Sequence, residues 1–381
     1  MNGQRLVNLI AAISAITVFG FTLGLMFPLL ALILESRGIK ADVIGYNAAM
    51  QPLGISLSLF FIPAAVRTFG TKRTVIGAAF LTATVICMYP FAPIFWAWFG
   101  LRIMHGFFVS VLFAISEAWI VKFAEGPWRS RILALYTSIM ALSFGAGPSL
   151  ISITGIEGAL PFLIGAVILA SATIPMFFVK DEEVDEEDER ALSVLGFVAK
   201  APILIVAVTA FAIVDAAFLS FLPVFGVKKG LNQETAALAL TFFILGNTVL
   251  QFPIGWVADH MNKRVVIAAC ALFTGLCTAL LPLAFGTVFF WGLLLVGGAA
   301  SAGMYTVALG ELGDRFSGHE LTTGTACFST FWGVGALMGA LGTGLAFNHF
   351  GPDGMPYSLA LVLAAFFAIM LLNLRSPPKG A

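Results

Sequence analysis

The chain alternates on one length scale. Apolar runs of about 20 to 30 residues are divided by short stretches that hold nearly all of the charge. A run of about 20 predominantly apolar residues is long enough to cross a bilayer as a helix. Twelve such runs can be counted. Six lie at roughly 7–34, 42–66, 74–92, 95–122, 131–154 and 160–179, and six more at 201–226, 234–258, 265–285, 288–310, 320–346 and 356–374. Most connections are short, so consecutive helices are expected to be antiparallel neighbours. The first run is too long for a signal peptide and has no small-residue cleavage site followed by a soluble domain, so it is expected to be a retained span.

One polar stretch stands apart. From Asp181 to Arg190 there are eight acidic residues in ten, a composition that cannot bury a core. It reads as a solvated linker over 180–200, between a half at 1–179 and a half at 201–381. A sharper alternative is an acidic arm that touches basic loop residues such as Arg129 and Arg131. The two halves resemble each other at a constant offset of 192 residues, which pairs Phe19 with Phe211, Gly38 with Gly230 and Gly54 with Gly246. The same offset pairs Phe60 with Phe252, Pro90 with Pro282, Gly100 with Gly292, Gly106 with Gly298, Gly126 with Gly318 and Gly147 with Gly339. Two copies of six spans share one orientation, so the halves are expected to be parallel repeats about an axis along the membrane normal. Helix-packing glycines and bending prolines are features such repeats keep.

Composition agrees with an all-α integral membrane protein. The chain is 60% hydrophobic and 10% charged, with a mean hydropathy of +1.00, whereas soluble domains carry about 25% charged residues. A net charge of zero argues against nucleic-acid binding. Cys87, Cys270, Cys277 and Cys327 all lie within apolar runs at spacings that suit neither disulfides nor zinc, so no metal site is expected. No Walker loop, HExxH or GxSxG occurs, and nothing points to an enzyme. With the N-terminus inside, fifteen Lys and Arg fall in inner segments and four in outer loops, leaving Arg102 within a span. That imbalance predicts both termini inside.

A repeated hinge follows the second span of each half. The second copy reads Gly255, Asp259, Lys263 and Arg264 across Gly255–Arg264; the first has Pro63 for the Gly and Arg67 for the Asp, then Gly70, Lys72 and Arg73. Together with six plus six spans and an acidic central linker, this resembles the major facilitator superfamily over essentially the whole chain. The family's loop motif is Gly-x-x-x-Asp-Arg/Lys-x-Gly-Arg-Arg/Lys; here His260 and Asn262 replace a basic residue and a Gly. Arg102-Ile103-Met104-His105-Gly106 is similar to the family's Arg-x-x-Gln-Gly pattern, with His105 in place of Gln. Gly147-Pro148 resembles the end of an antiporter-associated Gly-x-x-x-Gly-Pro motif, with Ser143 for its first Gly. Ser116-Glu117-Ala118-Trp119 resembles a bacterial branch, the YcaD-like proteins. The resemblance implies a monomeric secondary transporter of the bacterial inner membrane, energised by a proton gradient and needing no cofactor. Its small-molecule site would lie near the midplane between the halves, reached by rocking.

Ionisable groups within spans are costly, and are therefore functional candidates. Asp215, about thirteen residues into the seventh span, is a candidate proton carrier; its plainer reading is a carboxyl group bonded to a neighbouring helix. Arg102 is a candidate for an anionic substrate, or else a clamp on backbone carbonyls. His105 lies one turn further on nearly the same face, suited to proton coupling or to a neutral hydrogen bond. Glu117, about 22 Å beyond Arg102 along the helix, is a proton or gate residue at the inner mouth, or an interfacial charge paired with Arg129 or Arg131. Glu311 reads the same way at the inner end of the tenth span. Asn47 with Gln51, and Asn247 with Gln251, stand four apart and would each form one polar patch for substrate or for interhelical hydrogen bonds. Tyr305, Trp332 and Trp119 are candidates to face the same cavity. In the hinge, Gly255 is expected to let helices approach closely and Asp259 to latch onto a helix dipole, with Gly147 and Pro148 as further gating positions.

These residues favour proton-coupled export of small amphipathic organic molecules. Proton-linked uptake of a small, anionic metabolite is the second reading, and a non-transporting sensor or assembly protein on the same fold is the third.

Overall fold

The breaks in the apolar pattern become breaks between helices. The computed structural model describes residues 3–123, 129–179 and 194–375. Fifteen α-helices fill them: α1 (Gly3–Ser36), α2 (Ala41–Ser58), α3 (Ile62–Phe69), α4 (Thr71–Met88), α5 (Ala97–Phe123), α6 (Arg129–Thr154), α7 (Leu160–Thr173), α8 (Val194–Lys200), α9 (Pro202–Lys228), α10 (Gln233–Val249), α11 (Gln251–His260), α12 (Lys263–Ala284), α13 (Val288–Arg315), α14 (Gly318–Phe350) and α15 (Gly354–Arg375). Eleven stretches of the described residues are long and apolar enough to cross a membrane, and the bent pair α2 and α3 supplies a twelfth. The twelve agree with the twelve apolar runs to within a few residues. The acidic run from Asp181 to Arg190 and the side chains of Arg129 and Arg131 lie outside the described residues.

The second and eighth spans are each two helices, which the hydropathy pattern does not reveal. α2 and α3 meet at 54°. Pro63 cannot donate to the carbonyl of Leu59, nor Pro253 to that of Val249, so each helix loses a hydrogen bond at the break. The breaks fall at residues 59–61 and at Leu250; an offset of 192 brings them within one residue of each other, and Pro63 and Pro253 within two, so the interruption is part of the repeat.

The described chain divides into two compact units. The first comprises Met1–Gly38, Asn47–Glu187 and Gln233–Leu238; the second comprises Ile39–Tyr46, Asp188–Asn232 and Ala239–Ala381. The start of α2 groups with the second unit because Gly45 lies against the Ala340 carbonyl (2.6 Å to a Cβ built there) and the Gly344 backbone. Within the first unit α1 packs on α5, α6 and α7, and α4 packs on α5 and α7. Within the second, α9 packs on α13, α14 and α15, and α12 on α13 and α15, the same pairings one repeat later.

The duplication extends to single backbone contacts. A Cβ at Gly54 would strike the Ile103 carbonyl, and one at Gly106 the Gln51 carbonyl. In the other unit Gly246 lies against the Leu295 carbonyl and Gly298 against that of Phe243, again 192 residues on. Gly38 and Gly230 both have positive φ, 72° and 107°, where their helices end. Gly100 and Gly292 have no neighbour within 4 Å, so they are repeated without being packing glycines.

Candidate functional site

The close crossing of α2 and α5 at Gly54 and Gly106 creates a buried polar cluster in the first unit. Arg102 on α5 is 0% exposed, as are Asn47 and Gln51 on α2 and His105 on α5. Arg102 Nη1 donates to Asn47 Oδ1 at 2.9 Å. The guanidinium carbon lies 5.1 Å from the centre of the Phe27 ring on α1, a cation–π contact. Eight polar atoms here have no partner among the described residues: Arg102 Nε and Nη2, Asn47 Nδ2, both amide atoms of Gln51, both ring nitrogens of His105 and the Tyr89 hydroxyl. Among the described residues no carboxylate forms an ion pair with Arg102. Each buried polar group left unpaired costs about 1–3 kcal/mol, and a charged group more. Such an unpaired cluster calls for a functional explanation. Tyr89 and Phe27 are members that hydropathy did not single out. The signal for Tyr89 was rarity: it is one of only five tyrosines, set at the end of an apolar run.

The second unit holds a different group. Asp215 on α9 is half-buried, with no hydrogen-bond or ion-pair partner among the described residues. One turn to either side, Phe211 packs on Tyr305 of α13 with ring centres 5.2 Å apart, and Phe218 stacks on Phe243 of α10 at 4.4 Å. Asp215 thus sits on an aromatic-flanked face. Tyr305 also packs on Phe328 of α14 at 6.1 Å, and Trp332 on α14 is half-buried.

Asn247 and Gln251 stand on either side of a one-residue break at Leu250, within the single span Gln233–His260. Asn247 lies on α10 and Gln251 opens α11. Gln251 donates to the Ala299 carbonyl at 3.3 Å. Asn47 and Gln51 lie on the unbroken α2 and keep the expected spacing.

At the ends read as inner, the hinges differ from expectation. A Cβ at Gly255 would meet nothing of another helix within 4 Å among the described residues, so Gly255 does not serve a close helix approach; the close approaches of this region are at Gly246 and Gly298. Asp259 is exposed and has no partner among the described residues. The basic residues that follow it pair with α13: Arg264 Nε with Glu311 at 3.0 Å, and Lys263 with Asp314. Arg315 adds a second contact to Glu311 at 3.3 Å. Asn262 caps α12 by accepting from the Arg264 amide at 3.0 Å. The first hinge uses Gly70 at the matching position, with φ +79°, a turn a glycine makes freely. The Gly-to-Asn difference thus exchanges one way of starting a helix for another. Arg67 and Arg73 are exposed and Lys72 is half-buried.

Glu117 is exposed near the end of α5 and takes no part in the Arg102 cluster, while Ser116 beside it is buried and bonded to the Tyr136 hydroxyl at 2.8 Å. Trp119 is buried and packs against Phe123, with ring centres 6.5 Å apart. Gly147 stands where α6 crosses α1, against the backbone of Gly24 and Leu25, and Pro148 lies inside α6. An open apolar groove of about 550 Å³ between α12 and α13, lined by Leu280, Leu283, Phe289 and Leu293 among others, touches none of the candidates.

A twelve-span, twofold-repeated helical fold with charged groups buried in its spans defines a polytopic membrane protein. The family model of the Major Facilitator Superfamily matches residues 12–239 and 230–381, and the chain belongs to that family, whose members are transporters rather than enzymes. It is similar to the uncharacterized MFS-type transporter YfkF of Bacillus subtilis (strain 168), 22% identical over 369 residues that cover 94% of this chain and 93% of that protein. It is also similar to the uncharacterized MFS-type transporter YcaD of Escherichia coli O139:H28, 18% identical over 373 residues and 96% of each chain, in keeping with the resemblance at Ser116–Trp119. Among solved structures, the nucleoside transporter NupG superposes with a TM-score of 0.79 at 11% identity, covering 99% of this chain and 100% of that one. The protein is therefore a multi-pass membrane transporter.

Proposed function

We propose that the protein is a proton-coupled secondary transporter of a small organic anion, held by Arg102 and its neighbours. One observation carries this reading: a guanidinium at 0% exposure with two nitrogens unpaired and, among the described residues, no carboxylate paired with it. A buried charge without a counter-charge is unfavourable. An anionic cargo supplies the missing charge and gains strong, charge-assisted hydrogen bonds. Asp215, lacking a partner and flanked by aromatic rings, is the proposed proton carrier, since a carboxyl group can shed its charge by taking a proton.

Export of neutral amphipathic molecules is less well supported. It leaned on Gly147-Pro148, and the packing of Gly147 on α1 accounts for that glycine without reference to direction. The NupG likeness concerns fold alone; a neutral nucleoside would leave Arg102 uncompensated.

The test is flux into proteoliposomes under an imposed pH gradient, with anionic, neutral and cationic solutes compared. Anions should accumulate, and the sign of the gradient that drives them gives the direction. Arg102→Ala should abolish transport of anions alone; equal loss for every solute would make Arg102 a structural clamp. Asp215→Asn should keep substrate binding and lose pH-driven accumulation, and full coupling in that variant would remove Asp215 from the mechanism.

A further inference from the structure

The unpaired nitrogens of Arg102 are not arbitrary. Nη1 is engaged by Asn47. The two left over are Nε and Nη2. In a guanidinium these lie on one edge, with N–H bonds that run side by side. That edge matches the two oxygens of a carboxylate in a bidentate pair. The Asn47 contact therefore fixes the plane of the guanidinium and leaves free the edge best suited to an oxyanion. Asn47 Nδ2 is a further unpaired donor beside it.

Charge narrows the choice of oxyanion. Among the cluster's members, Arg102 is the one permanently charged group. A phosphate monoester carries between one and two negative charges near neutral pH, and one guanidinium in a buried setting cannot balance two. A carboxylate is matched one to one. One helical turn further along, about 5 Å, Gln51 follows Asn47 on α2 and His105 follows Arg102 on α5. The Gln51 backbone lies directly against Gly106, the neighbour of His105. Both amide atoms of Gln51 and both ring nitrogens of His105 lack partners among the described residues. Such groups accept or donate a neutral hydrogen bond equally well.

We propose that the Nε–Nη2 edge of Arg102, set by Asn47, takes a single carboxylate of the cargo, and that Gln51 and His105 read a neutral hydrogen-bonding group about 5 Å further along the same molecule. The cargo is then a short monocarboxylic acid with one hydroxyl, keto or amide function near its far end. This rests on the organic-anion reading and narrows it. Asn47 is a positioning residue, while Arg102, Gln51 and His105 touch the cargo.

The test is binding to the purified full-length protein in nanodiscs, by calorimetry at constant pH, with four probes of one length: 4-hydroxybutyrate, butyrate, 4-hydroxybutyramide and 3-hydroxypropylphosphonate. The wild-type protein should prefer 4-hydroxybutyrate over the amide by about 100-fold, the scale of losing a charge-assisted pair. It should prefer it over butyrate by about 10-fold, the scale of one hydrogen bond. The phosphonate should bind about 10-fold more weakly or worse, for want of a second cation. Gln51→Leu should erase the preference for the hydroxyl and keep that for the carboxylate. Arg102→Lys keeps the charge and loses the fork, so it should lower carboxylate affinity about 10-fold or more. Equal binding of acid and amide by the wild-type protein overturns the proposal whether or not any variant folds. Preference for the phosphonate overturns the carboxylate assignment while leaving the anion reading intact. Organic anions that neither bind nor accumulate under a pH gradient overturn both.

Discussion

The two halves share a backbone plan and have opposite chemistry at matched positions. In the first, the crossing of α2 and α5 encloses Asn47, Gln51, Arg102 and His105, with Phe27 and Tyr89 alongside. The residues 192 positions on are Ala239, Phe243, Leu294, Gly297, Leu219 and Leu281, all buried and none of them charged. Yet the glycine contacts that hold the crossing are the same in both: Gly54 with Ile103 and Gly106 with Gln51, then Gly246 with Leu295 and Gly298 with Phe243. The second half therefore shows that this crossing packs with apolar residues at all six of these positions; among the described residues, the bond across the contact runs from Gln251 to the Ala299 backbone. The Arg102 cluster is not needed to hold α2 against α5, and its cost is understandable if a ligand meets it.

The most damaging test of that contrast is to write the second half's residue into the first. Arg102→Leu installs the residue found at position 294. Replacing a buried charge by a well-packed apolar side chain is often neutral or stabilising. The variant should therefore melt at or above the wild-type temperature, while anion uptake falls by about 100-fold or more, as expected when a charge-assisted contact is lost. Measuring both on one preparation separates the roles. If the melting temperature collapses together with uptake, Arg102 is a clamp and the comparison misleads.

A smaller effect is expected at the shared scaffold. Gly106→Ala and Gly298→Ala each force a methyl group into a neighbouring carbonyl, so each should cost about 1–3 kcal/mol, seen as a lower melting temperature in detergent. Gly100→Ala and Gly292→Ala meet nothing within 4 Å and should leave melting unchanged. A first-half glycine that proves sensitive beside a tolerant second-half partner would show that the duplication is one of sequence rather than of packing.

Most of this architecture was legible in the sequence because bilayer crossing imposes a length and an apolar composition that hydropathy reads directly. The 192-residue offset carried the repeat because close-packed glycines such as Gly54 and Gly246 leave no room for a side chain against the facing carbonyl. The breaks at residues 59–61 and at Leu250 were not legible, since a hydropathy sum is blind to a lost backbone hydrogen bond, although Pro63 and Pro253 were in view. At the site, Arg102, His105, Asn47 and Gln51 could be singled out as polar groups within spans. Their assembly depends on which helices touch, and no spacing within one helix encodes that. Phe27 stayed hidden because it is one of 37 phenylalanines, and Tyr89 because its rarity among five tyrosines does not say which helices meet beside it.

The contrast reverses at the inner ends, where the smallest effects are expected. There the second half carries Lys263, Arg264, Glu311, Asp314 and Arg315, and the matched positions of the first are Thr71, Lys72, Trp119, Lys122 and Phe123, with no acid among them. Glu311 faces two arginines with its side chain 9% exposed, so Glu311→Gln should cost about 1 kcal/mol of stability. Asp259 and Arg67 are both exposed, and Asp259→Asn and Arg67→Ala should each leave melting within about 0.5 kcal/mol of wild type. Flux then distinguishes them. If Asp259 latches onto a helix end only during part of the transport cycle, Asp259→Asn should slow uptake several-fold with no change in melting, and Arg67→Ala should do neither. A larger flux loss in Arg67→Ala would rule out an asymmetric latch. Unaltered flux in Asp259→Asn would leave Glu311, with its two arginines, as the acid that matters at this end.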